Sequence, residues 1–150
     1  MQAAALAYDG QFSPDGRLVA YVSEESGRPE VYVVPFDVDK FINSPPAAAG
    51  GGDRWQLSPN GGRCPRWRKD GKEVFYLSST NQMMAAEVEQ KGSGMVVRAA
   101  QPLFRCTPNY STPSASYYDV SPDGKKFVIN SYSDDRATLT LLVNWTASLK

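Results

Sequence analysis

The chain contains no histidine. That absence removes Ser-His-Asp and Cys-His nucleophilic catalysis, histidine-bearing zinc sites and the histidine of the kinase catalytic loop. Acid–base work by Asp, Glu, Lys or Tyr stays open in principle. No paired constellation of those residues stands out. Cysteine is nearly missing as well. A zinc site wants four ligands, often in close pairs, whereas the only thiols are Cys64 and Cys106. They read as two free buried thiols or, in an oxidising compartment, as one disulfide. The expectation is a chain without catalytic residues, metal or cofactor, and so not an enzyme acting alone.

Long apolar runs are absent too. None approaches the ~20 residues that cross a bilayer as a helix. The start, Met1 to Leu6, is too short for a signal peptide and lacks its basic flank, so any export is directed by sequence outside this chain. Net charge is the last absence. Sixteen basic and sixteen acidic residues cancel, which leaves no global field to steer the chain onto nucleic acid or an anionic membrane. Neither is expected as a direct partner. The local basic tract from Arg63 to Lys69 reads as a solvated loop leading into a strand, with anion or phosphate binding as the alternative.

What the chain does have is repetition. Three segments align on an Asp-Gly turn: Phe12 to Ser23, Trp67 to Ser78, and Val120 to Ser131. Their glycines are Gly16, Gly71 and Gly124, so the steps are 71 − 16 = 55 and 124 − 71 = 53 residues. Propeller blades run to roughly 40–50 residues, and the surplus here lies in loops. In Ser-Pro-Asp-Gly, proline presets φ for a type I turn and glycine takes the left-handed φ through which a hairpin exits. Lys69 replaces the proline in the second copy. β-branched and aromatic residues follow each turn, as strands between packed sheets prefer.

A third strand is predicted at Glu30–Phe36, Met83–Val88 and Thr138–Trp145, with polar loops before it at Glu24–Arg28 and Ser133–Arg136. A weaker fourth is predicted at Arg54–Leu57 and Met95–Arg98. The tract from Asn43 to Gly52 is low in complexity and reads as a loop. Its glycines lack the following Lys-Ser or Lys-Thr of a phosphate-binding loop. Four antiparallel strands per repeat make the blade of a propeller. The expected fold is all-β: one partial β-propeller over residues 1–150, with blade 1 at about 6–58, blade 2 at about 63–104 and an incomplete blade 3 at about 115–147.

The Ser-Pro-Asp-Gly turn, the apolar strand and the Val31-Tyr32-Val33 type of strand together resemble the TolB-like, WD-like propeller repeat. A second resemblance is carried by Ser13-Pro14-Asp15-Gly16-Arg17, Glu25-Ser26-Gly27-Arg28, Cys64-Pro65-Arg66-Trp67-Arg68, Gly71 to Leu77, and Leu142-Val143-Asn144-Trp145-Thr146. These look like the C-terminal propeller tail of certain bacterial serine/threonine protein kinases, where a kinase domain and a membrane segment come first. The likeness implies an extracytoplasmic sensory module. None of the kinase's own motifs is present, so no kinase role passes to any residue here.

Closed propellers have about four to eight blades, because closure removes exposed sheet edges. Three blades are therefore expected either to pair into a six-bladed homodimeric ring or to belong to a larger propeller, and the missing outer strand of blade 3 favours the latter. A protein or small-molecule ligand is expected on the face that carries the blade connections and the loops between second and third strands. The candidates there are Tyr8, Asp9, Arg28, Arg63, Arg66, Tyr110, Tyr117, Asp134 and Arg136, since aromatic residues and arginine dominate binding hot spots. Trp67 and Trp145 read as core, and Asp15, Asp70 and Asp123 as turn formers on the opposite face, one per blade and too far apart to share a substrate. The competing functions are an accessory propeller of a prolyl-oligopeptidase-type peptidase and a structural half-ring that dimerises.

Overall fold

A computed structural model describes residues 6–39, 54–91, 94–111, 117–133 and 136–143. The Asn43–Gly52 tract, Asp134 and Trp145 lie outside them. The strands among the described residues are β1 Ala7–Phe12, β2 Leu18–Ser23, β3 Glu30–Pro35, β4 Trp55–Gln56, β5 Gly62–Trp67, β6 Glu73–Ser78, β7 Gln82–Lys91, β8 Gly94–Val97, β9 Gln101–Arg105, β10 Tyr118–Val120, β11 Lys126–Ser133 and β12 Arg136–Val143. They form three antiparallel sheets in chain order: β1-β2-β3-β4, then β5-β6-β7 with β8 and β9, then β10-β11-β12. Each sheet is one blade, and the third has three strands among the described residues.

The three turns are built alike. The amides of Gly16, Gly71 and Gly124 donate to the carbonyls of Ser13, Arg68 and Ser121 at 2.8, 2.9 and 2.8 Å. All three glycines sit at φ near +71° to +73°, where a Cβ is penalised. The carboxylates of Asp15, Asp70 and Asp123 accept the amides of Arg17, Lys72 and Lys125. These aspartates therefore close their own turns, and the bonds hold their carboxyls below the usual range, led by Ser13, Arg68 and Ser121 in turn.

Blades stack face to face through two cores. Leu18, Ala20, Val22, Val31, Val33 and Leu57 of blade 1 meet Val74, Tyr76, Ala86 and Val88 of blade 2. The other face of blade 2 presents Phe75, Leu77, Met83, Ala85 and Leu103 to Tyr118, Phe127 and Ile129 of blade 3. Strand alternation explains the split, since Val74 and Tyr76 point one way and Phe75 and Leu77 the other. Blade 2 thus has apolar residues on both faces.

Three expectations need correction. The fourth strand of blade 2 is divided: β8 pairs only with the far end of β7, at Val88–Lys91, while β9 pairs with its near half, at Gln82–Ala85. The basic tract is not a loop, because Gly62–Trp67 is the inner strand β5 with Cys64 and Pro65 buried. Ser133 and Arg136 are paired strand ends rather than loop residues.

Candidate functional site

The inner strands β1 and β5 carry the same irregularity. Register shifts between Tyr8 and Gln11 in β1 and between Arg63 and Arg66 in β5. Each shift contains a residue at positive φ, Asp9 at 53° and Cys64 at 59°. These positions are one repeat apart, 64 − 9 = 55 residues. A bulge leaves one residue out of the ladder and re-aims its side chain. Pro65 is tolerated in β5 for the same reason, since a bulge does not need its missing amide.

The two bulges bring charges together. Arg66 Nη1 donates to Asp9 Oδ1 at 3.1 Å across the blade boundary, and both side chains are largely covered. The Arg66 guanidinium also lies over the Tyr118 ring at 5.9 Å. Tyr118 is buried and donates its hydroxyl to the Cys64 carbonyl at 2.8 Å. Trp67 is half-buried, and its indole N–H reaches the Gln11 carbonyl at 3.1 Å.

Beside this pair lies a more open group. The Arg63 guanidinium sits over the Tyr110 ring at 5.6 Å. Tyr110 packs edge-on against Tyr117, ring centres 4.9 Å apart, and its hydroxyl donates to Asn81 Oδ1 at 2.8 Å. Tyr8 donates to Glu24 Oε1 at 3.1 Å and lies within electrostatic reach of Arg63. Tyr8 and Tyr110 are exposed, and Arg63 is half-exposed. No carboxylate pairs with Arg63 among the described residues. Burial raises the Tyr110 hydroxyl to about 12 although Arg63 pulls the other way. Burial, then Asp9, pushes the Cys64 thiol to about 12. Both groups are therefore neutral at physiological pH. Cys64 and Cys106 are free thiols, and burial raises Cys106 to about 11.

The structure brings together Tyr8, Asp9, Arg63, Arg66, Tyr110 and Tyr117. Arg28 is engaged elsewhere: it bonds the buried carboxylate of Glu30 at 2.9 Å and the Pro59 carbonyl at 2.6 Å. Burial opposes ionisation of Glu30, but the bonds from Arg28 and Tyr32 outweigh it and hold its carboxyl low. Arg28 thus braces blade 1. Arg136 opens β12. Sequence reasoning missed Asn81, Cys64 and Tyr118. Asn81 carried a weak signal, as asparagine is a residue type that adopts the positive φ of 58° seen there.

Three solved structures are similar in fold over 93% of the chain: TolB from Acinetobacter baumannii, with a TM-score of 0.57 and 17% identity, a protein assigned as TolB from Agrobacterium tumefaciens, with 0.57 and 20%, and one assigned as a 6-phosphogluconolactonase from Bacteroides uniformis, with 0.52 and 15%. The chain has the fold of a TolB-like β-propeller. It spans 30%, 46% and 37% of those three chains respectively. No protein-family model and no curated relative matches it.

On the opposite side of this partial propeller, an open cleft of about 860 Å³ lies between the turns of blades 1 and 2. Asp15 and Asp70 both line it, which corrects the expectation that the turn aspartates stand too far apart to share a space: the turns of adjacent blades face one cleft. Lys69, Lys72 and Arg98 face it together with Glu73, Glu87 and Glu89. Its mixed charge selects no ligand class. Among the described residues no group of three potential ligands is placed to hold a metal ion.

Proposed function

We propose that this chain is a non-catalytic propeller module that binds an acidic ligand, a protein segment or small molecule carrying a carboxylate, at the Arg63 cluster. One observation carries the reading: Arg63 is a half-exposed guanidinium over Tyr110, with no carboxylate partner among the described residues. Arg66 is the contrast, because its charge is already met by Asp9. A guanidinium offers a planar fork that fits a carboxylate with two hydrogen bonds. The exposed residues Tyr8 and Tyr110 add apolar area with few rotamers to freeze.

The test is a parallel screen of wild type and Arg63→Ala against acidic, neutral and basic peptides of equal length. Acidic peptides should bind wild type selectively, and Arg63→Ala should weaken them at least tenfold, about 1.4 kcal/mol. Equal binding of acidic and basic peptides would sink the reading. In its fuller form the proposal makes this module the extracytoplasmic sensory end of a membrane-anchored bacterial serine/threonine kinase, on the strength of the sequence resemblance. An antibody to the chain should then detect a longer polypeptide, with the epitope open to protease on the outer side of spheroplasts.

A further inference from the structure

Tyr8 and Arg63 hold the same place in successive blades. The step is 63 − 8 = 55 residues, and each pairs across its hairpin at the equivalent rung, Tyr8 with Val22 and Arg63 with Leu77. Each directly precedes the positive-φ residue of its bulge, Asp9 or Cys64. The repeat thus sets a tyrosine of blade 1 beside a guanidinium of blade 2, and the charge of Arg63 reaches the Tyr8 hydroxyl.

That hydroxyl donates to Glu24 Oε1 at 3.1 Å. Glu24 follows β2 directly, and its amide is fixed by the Leu6 carbonyl at 3.0 Å. It is half-exposed, and no cation pairs with it among the described residues. Other charges at this end answer one another: Glu25 with Arg54, Asp9 with Arg66, and Glu30 with Arg28. Arg63 and Glu24 do not pair directly; Tyr8 is the residue on which both act. One repeat on, at 24 + 55 = 79, the place of Glu24 is held by Ser79, whose hydroxyl donates to the Asn60 carbonyl at 3.0 Å. Of these two blades, the first alone brings the carboxylate and the second alone brings the guanidinium.

We propose that this site takes a zwitterion, with the ligand's carboxylate at Arg63 and an ammonium carried close to that carboxylate at Glu24. The inference rests on the carboxylate reading of Arg63 and adds the second half of the ligand. The Tyr8 hydroxyl meets one oxygen of Glu24, and an ammonium has three N–H donors for the lone pairs that remain. Opposite charges side by side on the protein cancel at a distance, so no net field draws in every anion. Selection comes instead from the order and spacing of the ligand's own charges. A second carboxylate would meet Glu24 as a like charge, and a second ammonium would meet Arg63 in the same way.

Calorimetric titration of the full chain with end-capped acidic peptides of equal length tests this. One carries lysine next to a glutamate, another carries acetyl-lysine at that place, and a third carries its lysine at the far end. Wild type should hold the first at least about threefold tighter than the other two, the worth of one partly exposed ion pair. Glu24→Gln keeps an oxygen for the Tyr8 hydroxyl and should bring all three to one affinity. Glu24→Lys should make the first peptide the weakest, and Arg63→Ala should weaken all three. Equal binding of the three to wild type, with Arg63→Ala still weakening them, overturns the zwitterion and leaves the carboxylate site standing. If Arg63→Ala changes none of them, the carboxylate site falls and this inference with it. A lysine preference that survives Glu24→Gln overturns the role given to Glu24.

Discussion

Cys64 shows how one residue couples strain, burial and charge. It holds a positive φ of 59° in a bulge, its side chain is buried in the second core, and its carbonyl accepts the Tyr118 hydroxyl. Burial first, and Asp9 next, raise its thiol from an ordinary 9.0 to about 12. The unfolded chain releases this proton near pH 9, whereas the folded chain keeps it to about pH 12. The stabilisation is therefore whole below about pH 9 and is lost as pH rises through that window, with a limiting slope of ~1.4 kcal/mol per pH unit for one thiol. Urea midpoints of wild type and Cys64→Ser at about pH 8 and about pH 10.5 check it. Wild type should lose more stability between them than the serine variant does. Equal losses would mean that the thiol titrates as freely in the fold as in the unfolded chain. The buried tyrosines titrate in both proteins and cancel in the comparison.

At the scale of elements, local bonding decides what could be read in advance. The three hairpin turns were legible because each is closed by bonds among about six consecutive residues, from Ser13 to Leu18 in the first. β9 was not. It contains Pro102, it buries Leu103 and only half-buries Phe104, and it exists because β7 offers a free edge at Gln82–Ala85. β5 read as a basic loop because a bulge hides its alternation, with Cys64 and Pro65 buried in succession. The site divides along the same line. Its arginines and tyrosines announce themselves by type, while Asn81 matters only because the β6–β7 turn places its side-chain oxygen against Tyr110. Gly62 is a further case whose reason is wholly tertiary. A Cβ there would meet the Ser58 Cβ at 2.7 Å and the Tyr76 ring at 2.8 Å. Gly62→Ala should therefore cost about 1–3 kcal/mol by overpacking the joint between blades 1 and 2. Chemical denaturation measures it, and a change below about 0.5 kcal/mol would show that Ser58 gives way freely.

For the whole molecule, the governing fact is that each blade touches only its neighbours, so stability is a sum of blade terms and seam terms. Blade 2 has two seams inside the chain, whereas blades 1 and 3 have one each. Opening an end blade breaks one seam, and exposing β6 requires breaking both. Hydrogen exchange should accordingly be graded from the centre outward. Amides of β6, where Val74, Phe75, Tyr76 and Leu77 are all buried, should exchange slowest, and those of β1 and β12 fastest. A profile equally protected in all three blades would contradict nearest-neighbour stability, because blades with one seam inside the chain cannot match a middle blade with two.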